Sequence, residues 1–430
     1  MTVTKIEGTM KNLSLFKTED IPPLVRYEKL FSNLPSIPWE RSLQGRPPYP
    51  KDALLRALIY KDLRSLLTLT DLSFELGNNP VMAEILGFNP LKKPPPKERF
   101  SHFLRTTPNE ELQLRRFLLV YHLIEEKVIT GTSIALDSCP IKANVKENNL
   151  KTSVKDRFDK THTPSGDPEA KMGILVHYPQ PFKRKIDYFW GYRNHAITDT
   201  TTELPLHEKT YPADKHEQKV AIPLLEEVSS YFDLSIEWVI GDANYDTEDI
   251  LSHIYHEMKA APIIPRNPRR TQNEEFTVKR NTVLCPANLE MNRKGKMRVK
   301  GITYLQYNCP LHWGKKYQGK YLFCPVEHPK YSKQKGCNFL MRLSPSVREK
   351  IDYGSQRFKK HYNKRTSVER VFSRLLAITM QNPSVIGLHA TQNHCTIAHI
   401  TVLLVALTAH RMGYKDKIRF VKSFLPRFAL

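Results

Sequence analysis

Cysteine is scarce in this chain of 430 residues: there are six, too few for a disulfide scaffold, which fits a reducing compartment. Long apolar runs are missing too. The greasiest stretch, Thr396 to Ala409, falls short of the roughly 18 residues a membrane-spanning helix needs, and reads as a buried core helix. The first twelve residues contain no apolar stretch of the secretory type. Low-complexity tracts are absent apart from Pro94-Pro95-Pro96. Acids are also in short supply, 44 Asp and Glu against 66 Lys and Arg, leaving a formal charge of +22. Such a surplus sets up a positive field that attracts polyanions, with nucleic acid a better fit than anionic membrane.

The chain has enough apolar residues, 40%, to build packed cores. Its length exceeds the roughly 250–300 residues at which one core stops growing, so two or three domains are expected. Residues 1–130 read as a helical region. After the break from Gly45 to Pro50, Leu54, Leu55, Leu58, Ile59 and Leu63 recur at helical spacing. Thr70-Asp71 is placed to cap a helix from Leu72 to Leu76. A further helix is expected from Asn109 to Glu126, with Leu112, Leu114, Phe117, Leu118 and Tyr121 facing inward. Short helices joined by tight turns suit a helix-turn-helix reader of DNA. A helical bundle that binds nothing has the same periodicity.

From residue 131 to 265 the texture is α/β. Thr132 to Leu136 is a β-type run ending in Asp137, followed by a charged, flexible-looking segment from Lys142 to Lys185. A hairpin (Tyr188 to Thr198, Glu203 to Tyr211) and a helix opening at Asp214 come next. The strand Ile236 to Ile240 delivers Asp242, and a helix (Thr247 to Met258) and a strand (Ala261 to Ile264) complete the set. Residues 266–345 interrupt this core with a basic, turn-rich insert. Residues 346–430 return to helix and close with an apolar, buried one from Thr391 to Met412.

Three acids stand out by position. Asp137 and Asp242 each follow an apolar strand, where α/β sheets commonly bind ligands. Glu369 lies on a helix whose Val368, Val371, Phe372 and Leu375 should face the core. Three convergent carboxylates can hold two Mg²⁺ ions, hard cations that prefer oxygen. Such a pair, about 3.5–4 Å apart, activates an attacking oxygen and stabilises a leaving one in phosphodiester displacement. Taken singly, each acid is equally readable as a cap, a turn residue or a surface charge.

Together these motifs resemble the DDE transposases of bacterial insertion sequences. Ile134-Ala135-Leu136-Asp137-Ser138 is similar to the first-aspartate strand, and Trp190-Gly191-Tyr192-Arg193-Asn194-His195 to the strand that follows it. Val239-Ile240-Gly241-Asp242-Ala243-Asn244-Tyr245-Asp246 resembles the second-aspartate motif. Tyr362, Arg365 and Glu369 match the Y-x2-R-x3-E signature. Gly45 to Tyr60 is similar to the family's helical N-terminal module, and the resemblance spans most of residues 45–410. One departure is that the lysine often found seven residues past the glutamate is Leu376 here. Arg374, five residues on, lies about 140° round the helix.

The resemblance implies an RNase H-like catalytic core interrupted by a small β-rich insert and preceded by a helical DNA-binding region. Asp137, Asp242 and Glu369 would bind two Mg²⁺ ions, replaceable by Mn²⁺, and Tyr362 and Arg365 would contact DNA near the scissile phosphate. Lys364, Arg370 and Arg374 share that basic neighbourhood: residues 351–375 hold seven Lys and Arg against Asp352 and Glu369. The implied enzyme binds double-stranded DNA, both the terminal inverted repeats of its element and the target, as a homodimer. It would act in the bacterial cytoplasm, at the nucleoid. Rival readings are a nuclease of the same fold that cuts without joining, and a catalytically silent DNA-binding regulator.

The insert carries Cys285, Cys309, Cys324 and Cys337, a possible structural zinc set despite the absence of a C-x2-C pair. The alternative is that small buried thiols fill a minor β-core. From Arg266 to Lys300 the insert has ten Lys and Arg against three Glu, which suits a DNA clamp.

Overall fold

The computed structural model describes residues 22–39, 49–180, 183–267, 276–279, 282–299, 302–313, 315–317, 319–321, 323–329, 331, 336–343 and 346–422. Gly45 to Pro48 of the expected break, and part of the basic stretch Arg266 to Lys300, lie outside the described residues. The chain forms two compact units. One comprises Met1–Tyr245, His253–Ile264 and Gln356–Leu430; the other comprises Asp246–Ser252 and Pro265–Ser355.

The first unit opens with six helices: α1 (Pro22–Ser32), α2 (Lys51–Leu63), α3 (Leu69–Asn78), α4 (Pro80–Leu86), α5 (Lys97–Thr106) and α6 (Asn109–Glu125). The cap of α3 sits two residues earlier than expected. Thr68 accepts from the Asp71 N–H at 3.0 Å while the Asp71 carboxylate accepts from the Thr68 N–H at 2.9 Å, a capping box that satisfies both orphan donors. Helix α6 has the expected length but is rotated from the expected face. Leu114 and Tyr121 are exposed, and Arg115 and Arg116 are buried instead. Both find carbonyl partners inside: Arg115 donates to the Ile37 carbonyl at 2.6 Å and lies over the Trp39 ring, and Arg116 donates to the Leu206 carbonyl at 2.5 Å. A hydropathy pattern counts arginine as outward and so misplaces such a face.

The sheet of this unit contains β1 (Ser133–Lys142), β2 (Lys171–Gln180), β3 (Lys183–Asp199), β4 (Leu204–Pro212), β5 (Trp238–Ile240) and β6 (Ala261–Ile263). Its order is β2-β3-β1-β5-β6, with β4 also paired to β3. β1 runs antiparallel to β3 and parallel to β5, and β5 is parallel to β6. Gly191 marks the point where β3 passes from β2 to β1. A side chain there would meet the Ile141 carbonyl oxygen at 2.1 Å, so only glycine fits.

The segment Lys142 to Lys185 is more ordered than its composition suggests. It supplies β2, and before that Arg157 donates to the carbonyls of Glu147 and Asn149, both at 2.8 Å. One arginine thus ties a polar loop together through carbonyls that composition cannot reveal.

Helix α7 (Glu217–Tyr231) follows β4. The short α8 (Glu248–Ser252) and α9 (Pro310–Trp313) belong to the second unit; α10 (Gln356–Tyr362), α11 (Thr366–Ala377) and α12 (Leu388–Arg411) return to the first. Helix α12 is buried from Asn393 through Ala409, as its apolar circumference requires. Its histidines have structural partners: His389 pairs with the Thr107 carbonyl, His394 with that of Met380 and His399 with the Asn194 side chain. Among the described residues no helix is long and apolar enough to cross a membrane.

The second unit is small. β7 (Thr277–Lys279) pairs with β8 (Thr282–Leu284), and β9 (Asn292–Val299), β10 (Ile302–Asn308) and β11 (Asn338–Arg342) form a sheet ordered β11-β10-β9. Phe276, Val283, Leu289, Met291, Leu305 and Tyr307 pack together with three of the cysteines as its core. Arg348 bridges Asp246 at 2.7 Å and Glu248 at 3.0 Å, joining the two chain segments of this unit.

Candidate active site

The sheet register brings two of the three predicted acids together. Ala135 of β1 pairs with Ile240 of β5, where β5 ends. Asp137 and Asp242 each lie two residues beyond that pair. Asp137 does not close its strand, as the sequence suggested; β1 continues to Lys142, paired only with β3. The early end of β5 opens the other edge of β1 at the level of Asp137. Alternation along a strand places residues two apart on one face, so Asp137 shares the face of buried Ala135.

Each carboxylate is held by local backbone. Asp137 Oδ1 accepts from the Ser138 N–H at 2.7 Å, and Asp242 Oδ1 accepts from the Asn244 N–H at 2.8 Å. Burial is the main influence on Asp137. Together with the negative charges of Glu217 and Asp242 it pushes the carboxyl up to about 7, although the Ser138 N–H and the Arg365 guanidinium favour ionisation. Asp242 is raised in the same way, by burial first and then by Glu217. Two half-buried carboxylates side by side suit a site that gains a cation, and their hard oxygen donors fit Mg²⁺ or Mn²⁺.

Glu369 is placed differently. It sits on α11 with its side chain 49% exposed and paired to Arg365 at 2.8 Å. Arg365 in turn lies close enough to Asp137 and Asp242 for its charge to favour their ionised forms. Among the described residues no group of three or more histidine, cysteine, aspartate or glutamate side chains is arranged to hold a metal ion.

The predicted DNA-contacting residues divide into two groups. Tyr362 and Arg365 stand beside the carboxylates, Arg365 at 5.9 Å from the Tyr362 ring, and Lys364 is half-buried next to them. Arg370 and Arg374 are committed elsewhere: both pair with the buried Glu203, at 2.7 and 3.0 Å, and Arg419 joins them at 3.3 Å. In the strand after the first aspartate, four polar residues have defined partners. The Trp190 indole donates to the Arg157 carbonyl, Tyr192 to Asp167, Arg193 to Glu217 and Asn194 to Glu208. His195 is buried, and desolvation lowers it to about 3, so it is a neutral imidazole.

Sequence reasoning missed Glu217, the first residue of α7. Its Oε1 accepts from the Ser138 hydroxyl at 2.5 Å and from Arg193 at 3.2 Å. Its Oε2 lies 3.4 Å from the Asn244 amide nitrogen. The sequence placed the helix start at Asp214, three residues before it begins in the structure, and an acid in a first turn ordinarily reports favourable placement near the helix dipole.

In the insert, Cys285, Cys309 and Cys337 lie together in the small core. Backbone N–H groups of Ala287 and Leu289 point at Cys285, and those of Leu311, His312 and Cys337 at Cys309. Contact with Cys337 and these donors lowers Cys285 and Cys309, and the same contact raises Cys337. Cys324 is buried outside this core cluster.

Paired aspartates at the open end of parallel strands, in a chain this basic, fit the class of enzymes that cut phosphodiesters with divalent ions. Comparison with known proteins sharpens that class. A family model described as "Transposase DDE domain" matches residues 162–404, over half of the chain, and one described as "Transposase domain (DUF772)" matches residues 12–106. The chain belongs to the DDE transposases, enzymes of DNA transposition. The longer match includes Asp242 and Glu369 and begins after Asp137. No match was found among curated proteins. A solved structure described as a cryo-EM structure of piggyBac transposase synaptic complex with hairpin DNA aligns over 95% of this chain and 79% of that one. The identity is 10% and the TM-score 0.40, too low to carry an argument.

Proposed function

We propose that this transposase uses Asp137, Asp242 and Glu369 to cleave DNA at the inverted-repeat ends of its element and to join the freed 3′-OH to target DNA. The observation that carries the reading is the equal offset of Asp137 and Asp242 past the paired Ala135 and Ile240. Mg²⁺ is the proposed cofactor, with Mn²⁺ as a substitute; when bound, two such ions activate the attacking oxygen and stabilise the leaving one. Asp137 and Asp242 supply the fixed oxygens, and Glu369 joins them by exchanging its pairing with Arg365. Freed from Glu369, Arg365 is placed to donate a bidentate pair of hydrogen bonds to a phosphate, with Tyr362 and Lys364 beside it. Because two element ends must be handled together, the working form is a homodimer on double-stranded DNA, in the bacterial cytoplasm.

The catalytic core is read as RNase H-like. Three antiparallel strands, β4, β3 and β1, followed by two strands parallel to β1, support that assignment. The N-terminal helices are assigned to DNA binding, and the insert to clamping DNA. A structural zinc is proposed on Cys285, Cys309 and Cys337, with Cys324 drawn in as fourth ligand. The gathering of three thiols in one small core supports it.

The test is a strand-transfer assay with Mg²⁺ and DNA carrying the element ends. Joined products support the proposal. Cut but unjoined products make the protein a nuclease, and binding without cutting makes it a regulator. Asp137→Asn, Asp242→Asn and Glu369→Gln should each abolish cutting while retaining DNA binding, and wild-type turnover by any of them removes that residue from the site.

A further inference from the structure

We propose that Glu217 is a positioning residue of the divalent-ion site, fixing the separation of the two aspartates by bridging the backbone segments that carry them. The inference rests on the reading of Asp137 and Asp242 as ion ligands.

The bridge has two arms. One runs from Glu217 Oε1 to the hydroxyl of Ser138, the residue after Asp137, at 2.5 Å. The other runs from Oε2 to the Asn244 amide at 3.4 Å, and that same amide nitrogen lies 3.2 Å from Asp242 Oδ2. Asn244 also holds Asp242 through its backbone N–H. Gln218, next on the same helix, reinforces the second arm by donating to the Asn244 carbonyl at 2.5 Å. The sheet gives no support at this level, because β5 has already ended at Ile240 and the ladder to β1 stops at Ala135. The sheet therefore sets the register of the aspartates, and Glu217 replaces the missing hydrogen bonds beyond it.

Arg193 explains why an acid can serve here. It donates to both Glu217 Oε1, at 3.2 Å, and Ser138 Oγ, at 3.1 Å, so the Glu217 charge is partly neutralised on the side of β3. The Glu217 side chain is 15% exposed, and its remaining field acts on Asp137 and Asp242, disfavouring a state in which both are ionised without a cation. A neutral residue could span the gap, but it would lack the pairing with Arg193 and leave that guanidinium's charge beside the ligands. Helix α7 supplies the rigid mount. Its Val220, Ala221, Leu224, Leu225 and Val228 are buried, which fixes Glu217 at the helix start.

Outer-shell partners of metal ligands typically cost about 10–100-fold in affinity when removed. The experiment is calorimetric titration of the full chain with Mn²⁺ without DNA, alongside cleavage of end DNA over a range of Mn²⁺ concentrations. Glu217→Ala should weaken Mn²⁺ binding by about 10-fold or more, with cleavage largely restored at high Mn²⁺. Ser138→Ala and Asn244→Ala, which cut the bridge while leaving the Glu217 carboxylate in place, should each reproduce part of that loss. If both bind Mn²⁺ like wild type while Glu217→Ala does not, Glu217 acts as a ligand and the positioning role is overturned. If Glu217→Ala binds normally, the bridge has no function. Asp137→Asn is the control: normal Mn²⁺ binding by that variant would defeat the ion site itself, whatever Glu217 does.

Discussion

Asp137 and Asp242 occupy matching positions relative to neighbouring parallel strands, Asp137 within β1 and Asp242 just past the end of β5, each two residues beyond the last paired residues, Ala135 and Ile240. The two carboxylates are brought together by the register of the sheet, which is set by the apolar residues behind them. Ile134, Ala135, Val239 and Ile240 are all buried. A one-residue slip would turn one aspartate to the opposite face.

The raised Asp137 makes ion binding pH-dependent. Its carboxyl must lose a proton to bind a cation, and burial with neighbouring acids holds it up to about 7. Mn²⁺ affinity should therefore rise steeply between about pH 6 and 8, with proton release on binding visible in buffers of different ionisation enthalpy. A flat affinity across that range would contradict the account.

The same shift affects stability in the absence of metal. A carboxyl raised on folding favours the native state below its unfolded value, near 4, and that contribution is lost as pH rises through about 7. Asp137→Asn removes the charge, so in chelator at pH 8 it should melt about 2–8 °C higher than wild type. The difference should vanish near pH 4. Thermal melts at the two pH values check this, and a variant less stable at pH 8 would refute it.

Glu203 anchors the helix that carries Glu369. It is 7% exposed and pairs with Arg370, Arg374 and Arg419. Glu203→Ala leaves those guanidinium groups without their partner and should cost about 1–3 kcal/mol, less than loss of a fully buried pair because Arg370 and Arg419 are half-exposed. Arg374→Ala should likewise lower the melting temperature. Lys364→Ala should leave melting unchanged and instead reduce the salt dependence of DNA binding by a slope of about 1. Equal melting of Arg374→Ala and wild type would return Arg374 to the list of free DNA contacts.

For the insert, protein purified without chelator should contain about one zinc per chain, as a structural thiolate site does. Cys309→Ser should lose it. Metal-free protein with an intact fold would leave the thiols as packing for the small β-core.

Much of the fold was legible because its strands and closing helix follow simple patterns. The run Ile134 to Leu136 and the run Trp238 to Ile240 read directly as strands, and α12 as a buried helix. What escaped was decided by pairing across the chain. Arg115 and Arg116 face inward because carbonyls of Ile37 and Leu206 await them. The edge strand β2 lay hidden in a charged segment, since its partner β3 is what orders it. At the site, Asp137 and Asp242 stood out by following apolar runs, whereas Glu217 had no such mark. Its meaning comes from Ser138 and Asn244, brought to it only by the fold.

The most direct test of the whole account is anomalous diffraction from crystals of the protein with end DNA and Mn²⁺. Metal peaks are expected at Asp137 and Asp242, with Glu369 turned away from Arg365 to join them. Metal bound elsewhere, with Asp137 and Asp242 left unliganded, would contradict it.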